Sequence, residues 1–361
     1  MAVPRLRFRE FIDKHNHEQL DGICAISSSK YNPIIGESCK CIELEHLAGN
    51  NEGLIGWTNS SEQKSIKNVF ERGDVLFGKL RPYLRKTWLA EFSGVCTSEI
   101  WVMKGKSVLT EYLYYLIQTS KFNSIASVSS GSKMPRADWS YMSNYEFGIP
   151  TLSEQQKIAV FLTLLDRKIA LQRRKIELLN DYIRGYVKFI FATYSTQVIK
   201  LKNICKYISS VNTLSCIENA NKGVYPVYDA QGIVTRIDRF DMAEPYIAII
   251  KDGAGVGRQQ LCCAKTSFIG TMGALQPVGV ELNYLYLVLN MIDFSKYITG
   301  STIPHIYFKD YGNFEVPLPD ENIQITQTAT FMLLNAKKEH FEKQLVQLIN
   351  LKKSLLQNLF I

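Results

Sequence analysis

No stretch of these 361 residues approaches the roughly 20 consecutive apolar residues that crossing a bilayer requires. The opening MAVPRLRFREFIDKHNHE carries basic residues with no apolar segment behind them, so no secretory leader is expected and the chain is assigned to the cytoplasm. Cysteine is sparse. Its eight residues, at 24, 39, 41, 96, 205, 216, 262 and 263, form no dense disulfide framework, which points to a reducing compartment. Cys39/Cys41 and Cys262/Cys263 lack the two-residue gap and the matching second pair that tetrahedral zinc favours, so no metal is expected. The five histidines, His15, His17, His46, His305 and His340, are scattered and read as surface or core residues. There is no paired acid and lysine spacing of a nuclease, and no Ser/His/Asp order with a nucleophile elbow. A non-enzymatic chain with no cofactor of its own is the expectation.

Three near-matches fail on chemistry. Gly73-Asp-Val-Leu-Phe-Gly78-Lys79 has phosphate-loop spacing, but Leu80 stands where a magnesium-binding hydroxyl is required and Pro82 follows at once. Gly253-Ala-Gly-Val-Gly257 has Arg258 in place of the last spaced glycine of a dinucleotide loop, and reads as a turn. Tyr31-Asn-Pro-Ile34 lacks the second proline of the amino-methyltransferase signature and has no cofactor-binding glycine motif before it.

What is present is enough apolar material to fold, 46% hydrophobic against 21% charged, in a chain long enough for two domains. A net charge of +8 fits a polyanionic partner without demanding one. The chain also repeats itself at a pitch of about 170 residues. Tyr112-Leu-Tyr-Tyr-Leu-Ile-Gln118 returns as Tyr284-Leu-Tyr-Leu-Val-Leu-Asn290, Gly-Ser-x-x-Pro at 131–135 returns at 300–304, and Phe147-Gly-Ile-Pro150 returns as Phe314-Glu-Val-Pro317. Each half reads as mixed strands, among them Asp74–Phe77, Ile100–Met103 and Pro245–Ile250, with short helices over Tyr112–Thr119 and Asn283–Met291.

Each half ends in a long helix, opened after a proline where Ser153 or Asp320 can accept from first-turn amides. Ile158, Leu162, Leu165, Ile169, Gln172, Ile176, Leu179, Ile183, Tyr186 and Ile190 alternate spacings of four and three, a heptad seam. Phe331, Leu334, Lys338, Phe341, Leu345, Leu348, Lys352, Leu355 and Leu359 repeat it. Two such helices running antiparallel would make a coiled coil, with Gln172, Lys338 and Lys352 as polar seam residues that select register. The other reading is that each helix packs only on its own domain. At 1.5 Å per residue, about 38 residues would reach roughly 57 Å, long enough to hold two domains apart.

The segment Gly78-Lys79-Leu-Arg81-Pro-Tyr83-Leu-Arg85-Lys86-Thr87-Trp88 gathers four cations and two aromatics just after a strand. Arginine reads guanine, lysine neutralises phosphate and aromatics stack or wedge, so the composition suits nucleic acid, although a solvated basic hairpin has the same composition. In the second half Lys251, Arg258, Gln259 and Gln260 surround the glycine turn. Lys133 lies within the first Gly-Ser-x-x-Pro string, Arg136 follows it and His305 follows the second, and these complete the candidate contact set. The basic excess is densest on the first long helix, at Arg167, Lys168, Arg173, Arg174 and Lys175, which suits a DNA backbone, an acidic partner or plain solvation.

The whole chain resembles the specificity subunits of type I restriction-modification systems. The likeness runs through Pro4-Arg-Leu-Arg-Phe-Arg-Glu-Phe11, Phe77-Gly-Lys-Leu-Arg-Pro-Tyr83, Pro150-x-x-x-Glu-Gln-Gln-Lys-Ile158, Tyr225-Pro-Val-Tyr228 and Lys251-Asp-Gly-Ala-Gly-Val-Gly257. It implies an α+β fold in which two globular mixed α/β target-recognition domains form a pseudo-twofold repeat, separated by two long antiparallel coiled-coil helices. The domains are expected at 1–150 and 194–318 and the helices at 151–193 and 319–361. The resemblance further implies that each domain reads one half of a split site in double-stranded DNA. Two methyltransferase subunits carrying S-adenosylmethionine would dock on the helices, and motor-nuclease subunits would supply ATP hydrolysis and cleavage. One departure is Glu321-Asn-Ile-Gln324, which replaces Glu154-Gln-Gln156 and puts symmetric docking in doubt. The alternatives are a coiled-coil scaffold pairing two protein-binding domains without DNA, and an enzyme acting at the 253–257 loop.

Overall fold

The computed structural model describes residues 4–128, 134–194, 197–220 and 222–361. The chain divides into two compact units, Met1–Gln172 with Gln344–Ile361, and Arg173–Lys343.

In the first unit a four-stranded antiparallel sheet has the order Cys24–Ile26, Ile100–Gly105, Val75–Gly78, Thr87–Leu89. Its inner strands are apolar without alternation because both faces are covered. Val75, Phe77, Trp101 and Met103 enter one core with the helix Thr110–Leu116. Leu76, Ile100 and Val102 enter another with Leu47 and with Ile42 and Phe70 of a second, five-stranded sheet. The period-two alternation of side chains thus sorts one strand between two cores. A ribbon pairs Asn16–Gln19 with Glu146–Ile149.

The second unit repeats this plan. Its sheet runs Cys205–Ser209, Met272–Pro277, Tyr246–Ile250, Gln259–Cys262, also antiparallel. Ile247, Ile249 and Leu275 face the helix Leu282–Leu289, while Tyr246, Ala248 and Ile250 face the other core. The ribbon is Val198–Lys200 with Glu315–Pro317. The strings that repeat in sequence therefore mark a repeated strand order. The units differ in the outer sheet, which here has three strands, Gly232–Ile237, Lys222–Asp229 and Ser267–Phe268.

The long helices are Leu152–Tyr194 and Glu321–Asn358. Both pack on the domains and both meet each other, so the helices pair as the coiled-coil reading expects and neither packs only on its own domain. In the first unit Ile158, Leu162, Leu165 and Ile169 share a core with Leu355 and Leu359, Lys352 pairs with Asp166 at 2.7 Å, and the Gln172 amide donates to Gln344 at 3.1 Å. In the second unit Ile183, Val187 and Ile190 pack with Phe331, and the Tyr186 hydroxyl donates to Gln327 Oε1 at 2.6 Å. The falling partner numbers make each pairing antiparallel. Ser153 is not the cap expected of it, because the helix already begins at Leu152. A buried glutamine marks each start instead: Gln155 Nε2 donates to Pro150 O at 2.9 Å, and Gln324 Nε2 to Pro319 O at 2.8 Å.

In the second unit the long helix leads almost directly into the ribbon strand. The first unit makes the corresponding junction across the two chain ends, where Leu6 N donates to Asn358 O at 2.9 Å and Tyr112 stacks on Phe360 at 5.1 Å. Arg7 forks onto buried Glu154 at 2.8 and 2.7 Å, and His15 lies 3.7 Å from the same carboxylate.

Phe360→Ala is therefore expected to destabilise the first unit by about 3–5 kcal/mol, faster hydrogen exchange appearing over Thr110–Leu116 while Leu282–Leu289 keeps its protection. Burial holds the His15 imidazole below its ordinary value of 6.5, so the unfolded chain binds the proton better and stability is lost as the pH falls below that value. Urea titrations at pH 7 and pH 5 on wild type and His15→Leu check this: the variant should lose less stability on acidification.

Candidate nucleic-acid interface

The basic segment is a hairpin tip. The strand Val75–Gly78 delivers Lys79, a single 3-10 turn at Pro82–Leu84 reverses the chain, and Thr87–Leu89 returns. The tip is held from outside by backbone: Lys79 N donates to Glu99 O at 2.9 Å, Arg81 N to Pro135 O at 2.8 Å, and Ala137 N to Lys79 O at 2.8 Å. The second unit repeats each bond, Lys251 N to Thr271 O at 3.0 Å, Gly253 N to Pro304 O at 2.9 Å, and Ile306 N to Lys251 O at 3.0 Å. A bridge joins Leu80 to Arg136 in one unit and Asp252 to His305 in the other. The hairpin closes through Gly78 N to Lys86 O at 2.9 Å, matched by Ile250 N to Arg258 O at 3.0 Å. Lys79 thus corresponds to Lys251, Arg136 to His305 and Lys86 to Arg258.

The chemistry at these positions differs between units. Arg81, Tyr83 and Arg85 are exposed, and among the described residues neither guanidinium has a carboxylate partner. Both arginines are left-handed, at φ 50° and 52°. Asn50 and Asn51, at φ 56° and 59°, lie in a neighbouring loop whose amides donate to Leu84 O at 2.9 Å and Arg85 O at 2.7 Å. Four of the five non-glycine residues with positive φ among the described residues therefore meet at this tip. Such strain persists only where surrounding contacts over-determine it, and it concentrates at functional sites. Lys86 is tied down, its ammonium donating to Leu44 O at 2.5 Å. Arg136 lies along Glu99 at 3.1 Å, an exposed pair that raises its pKa through the hydrogen bond. Lys133 falls outside the described residues.

In the second unit His305 Nδ1 is 2.7 Å from Asp252 Oδ1, and Lys251 Nζ lies 3.8 Å from the same carboxylate group's Oδ2. Arg258 donates to Ala230 O at the tip of the hairpin Lys222–Ile237. Gln259 is half-buried on its strand, and its amide donates to Leu289 O at 3.0 Å and accepts from Asn290 at 3.2 Å. Gln260 is half-buried beside Cys262. The loops 48–53 and 229–232 were not singled out in the sequence. Gly49-Asn-Asn-Glu-Gly53 carried a signal for the first, since asparagine and glycine tolerate the left-handed region.

The first long helix has a second heptad row flanking its seam, each member one residue before a seam position and so about 100° around the helix. Phe161, Leu164 and Leu171 in the first unit and Leu178, Tyr182 and Phe189 in the second are all at least 40% exposed. Lys168 and Lys175 continue the same spacing. Among the described residues no group of three or more His, Cys, Asp or Glu could hold a metal, and no helix is long and apolar enough to cross a membrane.

Residues 22–181 and 195–356 each match the family described as the type I restriction modification DNA specificity domain. The EcoDI specificity subunit of a type I restriction enzyme from Escherichia coli is 28% identical over 123 residues, 31% of this chain and 27% of that protein. The MjaVIII specificity subunit from Methanocaldococcus jannaschii is 24% identical over 178 residues, 48% of this chain and 36% of that one. The matched stretches span about a quarter to a third of those relatives' own lengths. Among solved structures, the S subunit of a type I restriction-modification system from M. genitalium superposes with a TM-score of 0.65 at 17% identity, covering 100% of this chain and 99% of that chain. A chain from a structure concerned with complex assembly and conformational transition of the type I R-M system gives 0.55 at 18% identity over 96% and 97%. At these identities the likeness is one of fold.

The strain at the tip has a direct test. Arg85→Gly removes the left-handed penalty and is expected to leave stability unchanged or raise it by up to about 1 kcal/mol in thermal melts. A clear loss would mean that the Arg85 side chain, and not the backbone lock, holds the turn.

Proposed function

The chain belongs to the type I restriction-modification DNA specificity family, and from that premise we propose that it selects the DNA sequence on which a larger complex acts. Residues 1–150 and 194–318 are the two target-recognition domains, and 151–193 and 319–361 are the spacer helices. Each domain reads one half of a split duplex site. The observation that carries this reading is the duplicated hairpin cradle, which presents cations to solvent on a backbone held by the same bonds in both units.

In the first half-site Arg81 and Arg85 are free to fork onto guanine or phosphate, Tyr83 to stack or wedge, and Lys79 and Lys133 to meet the backbone. Arg136 and Lys86 begin from existing partners, so they position the tip or exchange those partners for phosphate. In the second half-site Lys251, His305 and Arg258 occupy the corresponding places, with Gln259 and Gln260 on the adjoining strand. The helices act as the ruler, with half-site centres about one helical turn, roughly 34 Å, or slightly more apart.

Two methyltransferase subunits dock on the helices and motor-nuclease subunits join them. The exposed apolar row at Phe161, Leu164, Leu171, Leu178, Tyr182 and Phe189 supports helix-on-helix docking, since it continues the heptad spacing of the buried seam. The chain itself catalyses nothing, carries no cofactor and works in the cytoplasm.

Arg81→Ala with Arg85→Ala is expected to weaken duplex binding by the assembled complex and to reduce the slope of log K against log salt by about 2. Unchanged affinity, slope and sequence preference would remove the tip from the interface. Co-expression with the neighbouring methyltransferase, followed by sequencing of methylated adenines, should yield a split motif. A heptad inserted into both helices should lengthen its spacer, and an unaltered motif would count against the ruler.

A further inference from the structure

Each recognition tip is flanked by a second loop, and in both units that loop joins two antiparallel strands of the outer sheet, the first of them running parallel to the strand that follows the hairpin. In the first unit it is Ala48–Gly53, closed on itself by Ala48 N donating to Gly53 O at 2.9 Å and Glu52 N to Gly49 O at 3.2 Å. It is locked to the tip through the Asn50 and Asn51 amides. In the second unit it is the two-residue turn Ala230-Gln231, set by Asp229 Oδ1 accepting from Gln231 N at 2.7 Å and Gly232 N at 3.0 Å. It is locked to the tip by Arg258 donating to Ala230 O. The two loops hold the same place in the strand order while differing in length and sequence, and both arrive against the returning limb of the hairpin, at Leu84–Arg85 in one unit and Arg258 in the other.

Both also present the same chemistry. Asn50 and Gln231 are exposed, and neither carboxamide makes a hydrogen bond among the described residues. A carboxamide carries one donor and one acceptor in a plane, which matches the N6 donor and N7 acceptor that adenine shows in the major groove. Reading a base edge requires that the side chain start from a fixed backbone beside cations that hold the phosphates, and both loops meet that condition.

We propose that Asn50 and Gln231 are base-reading residues, one for each half-site, each taking the major-groove edge of an adenine. This rests on the DNA-reading assignment above and adds to it two residues and a base. The carboxamide of Gln259, the more obvious amide in sequence, is already held by the end of the helix Leu282–Leu289 and contributes position.

The test uses the full chain in complex with co-expressed methyltransferase subunits, selecting duplexes from a random library. Asn50→Gly keeps the left-handed backbone without strain, and Gln231→Ala truncates an exposed turn residue, so both should fold; circular dichroism melts check this, and Asn50→Asp replaces Asn50→Gly if the latter melts early. Wild type is expected to select a split consensus. Each variant should lose preference at one A·T pair in one half-site only, by about 5- to 150-fold, with the other half-site intact. Variants that select the full wild-type consensus would overturn the proposal while leaving the DNA-reading assignment standing. Degeneracy at a G·C pair would overturn the adenine assignment. A wild-type complex that selects no split sequence would overturn both.

Discussion

The two hairpin tips are held by main-chain hydrogen bonds, and the freedom of their side chains depends on that. Arg81 N to Pro135 O and Gly253 N to Pro304 O are the same bond made by different residues. Because the tie uses no side chain, position 81 can be arginine in one unit and its counterpart glycine in the other. Arg136 can likewise correspond to His305. A cradle fixed by backbone leaves its side chains free to differ. The glycine at 253 adds a reason of its own: at φ 87° it takes a conformation that costs an L-residue roughly 1–2 kcal/mol, and Arg81 accepts that cost at the same place.

The long helix Leu152–Tyr194 shows how one element can serve two surfaces. Its buried row packs on sheet and partner helix, while the row of Phe161, Leu164 and Leu171 faces outward at the same spacing. A helix with apolar residues on two faces has no stable single orientation by hydrophobicity alone. Polar contacts decide which row turns inward: Asp166 with Lys352 and Gln172 with Gln344 exist only when the seam row is the buried one. Polar seam residues cost stability and return register, a trade familiar from coiled coils.

Much of this was legible in the sequence because it rests on periodicity. Apolar runs located the central strands, the duplicated strings located the short helices, and the alternation of fours and threes located both seams. What escaped depends on contacts between segments distant in sequence. Ser153 looked like a cap, but the helix starts one residue earlier, and the satisfied group is the Pro150 carbonyl reached by Gln155. The pairing of Arg7 with Glu154, 147 residues apart, and the meeting of Leu6 with Asn358 carry no local signature. Within the candidate interface, composition picked out the cations but could not tell exposed Arg85 from Lys86, whose ammonium is bound to Leu44 O. The outer sheets, where the units differ, were the least legible, since short strands such as Lys30–Tyr31 and Ser267–Phe268 exist only through their partners.

Unsatisfied groups give the last step. A folded chain normally pairs or neutralises what it can, and this one does so at Arg7, Lys67, Arg136 and Lys352, each of which has a carboxylate within 3.1 Å. Arg81 and Arg85 stand out because the fold brings them together, strains their backbone and gives them no counter-charge. Both guanidinium groups are exposed to water, and among the described residues no carboxylate pairs with either. A polyanion would supply the missing charge with little backbone rearrangement, since the main chain of the tip is already held, and would cost only the ordering of the two side chains.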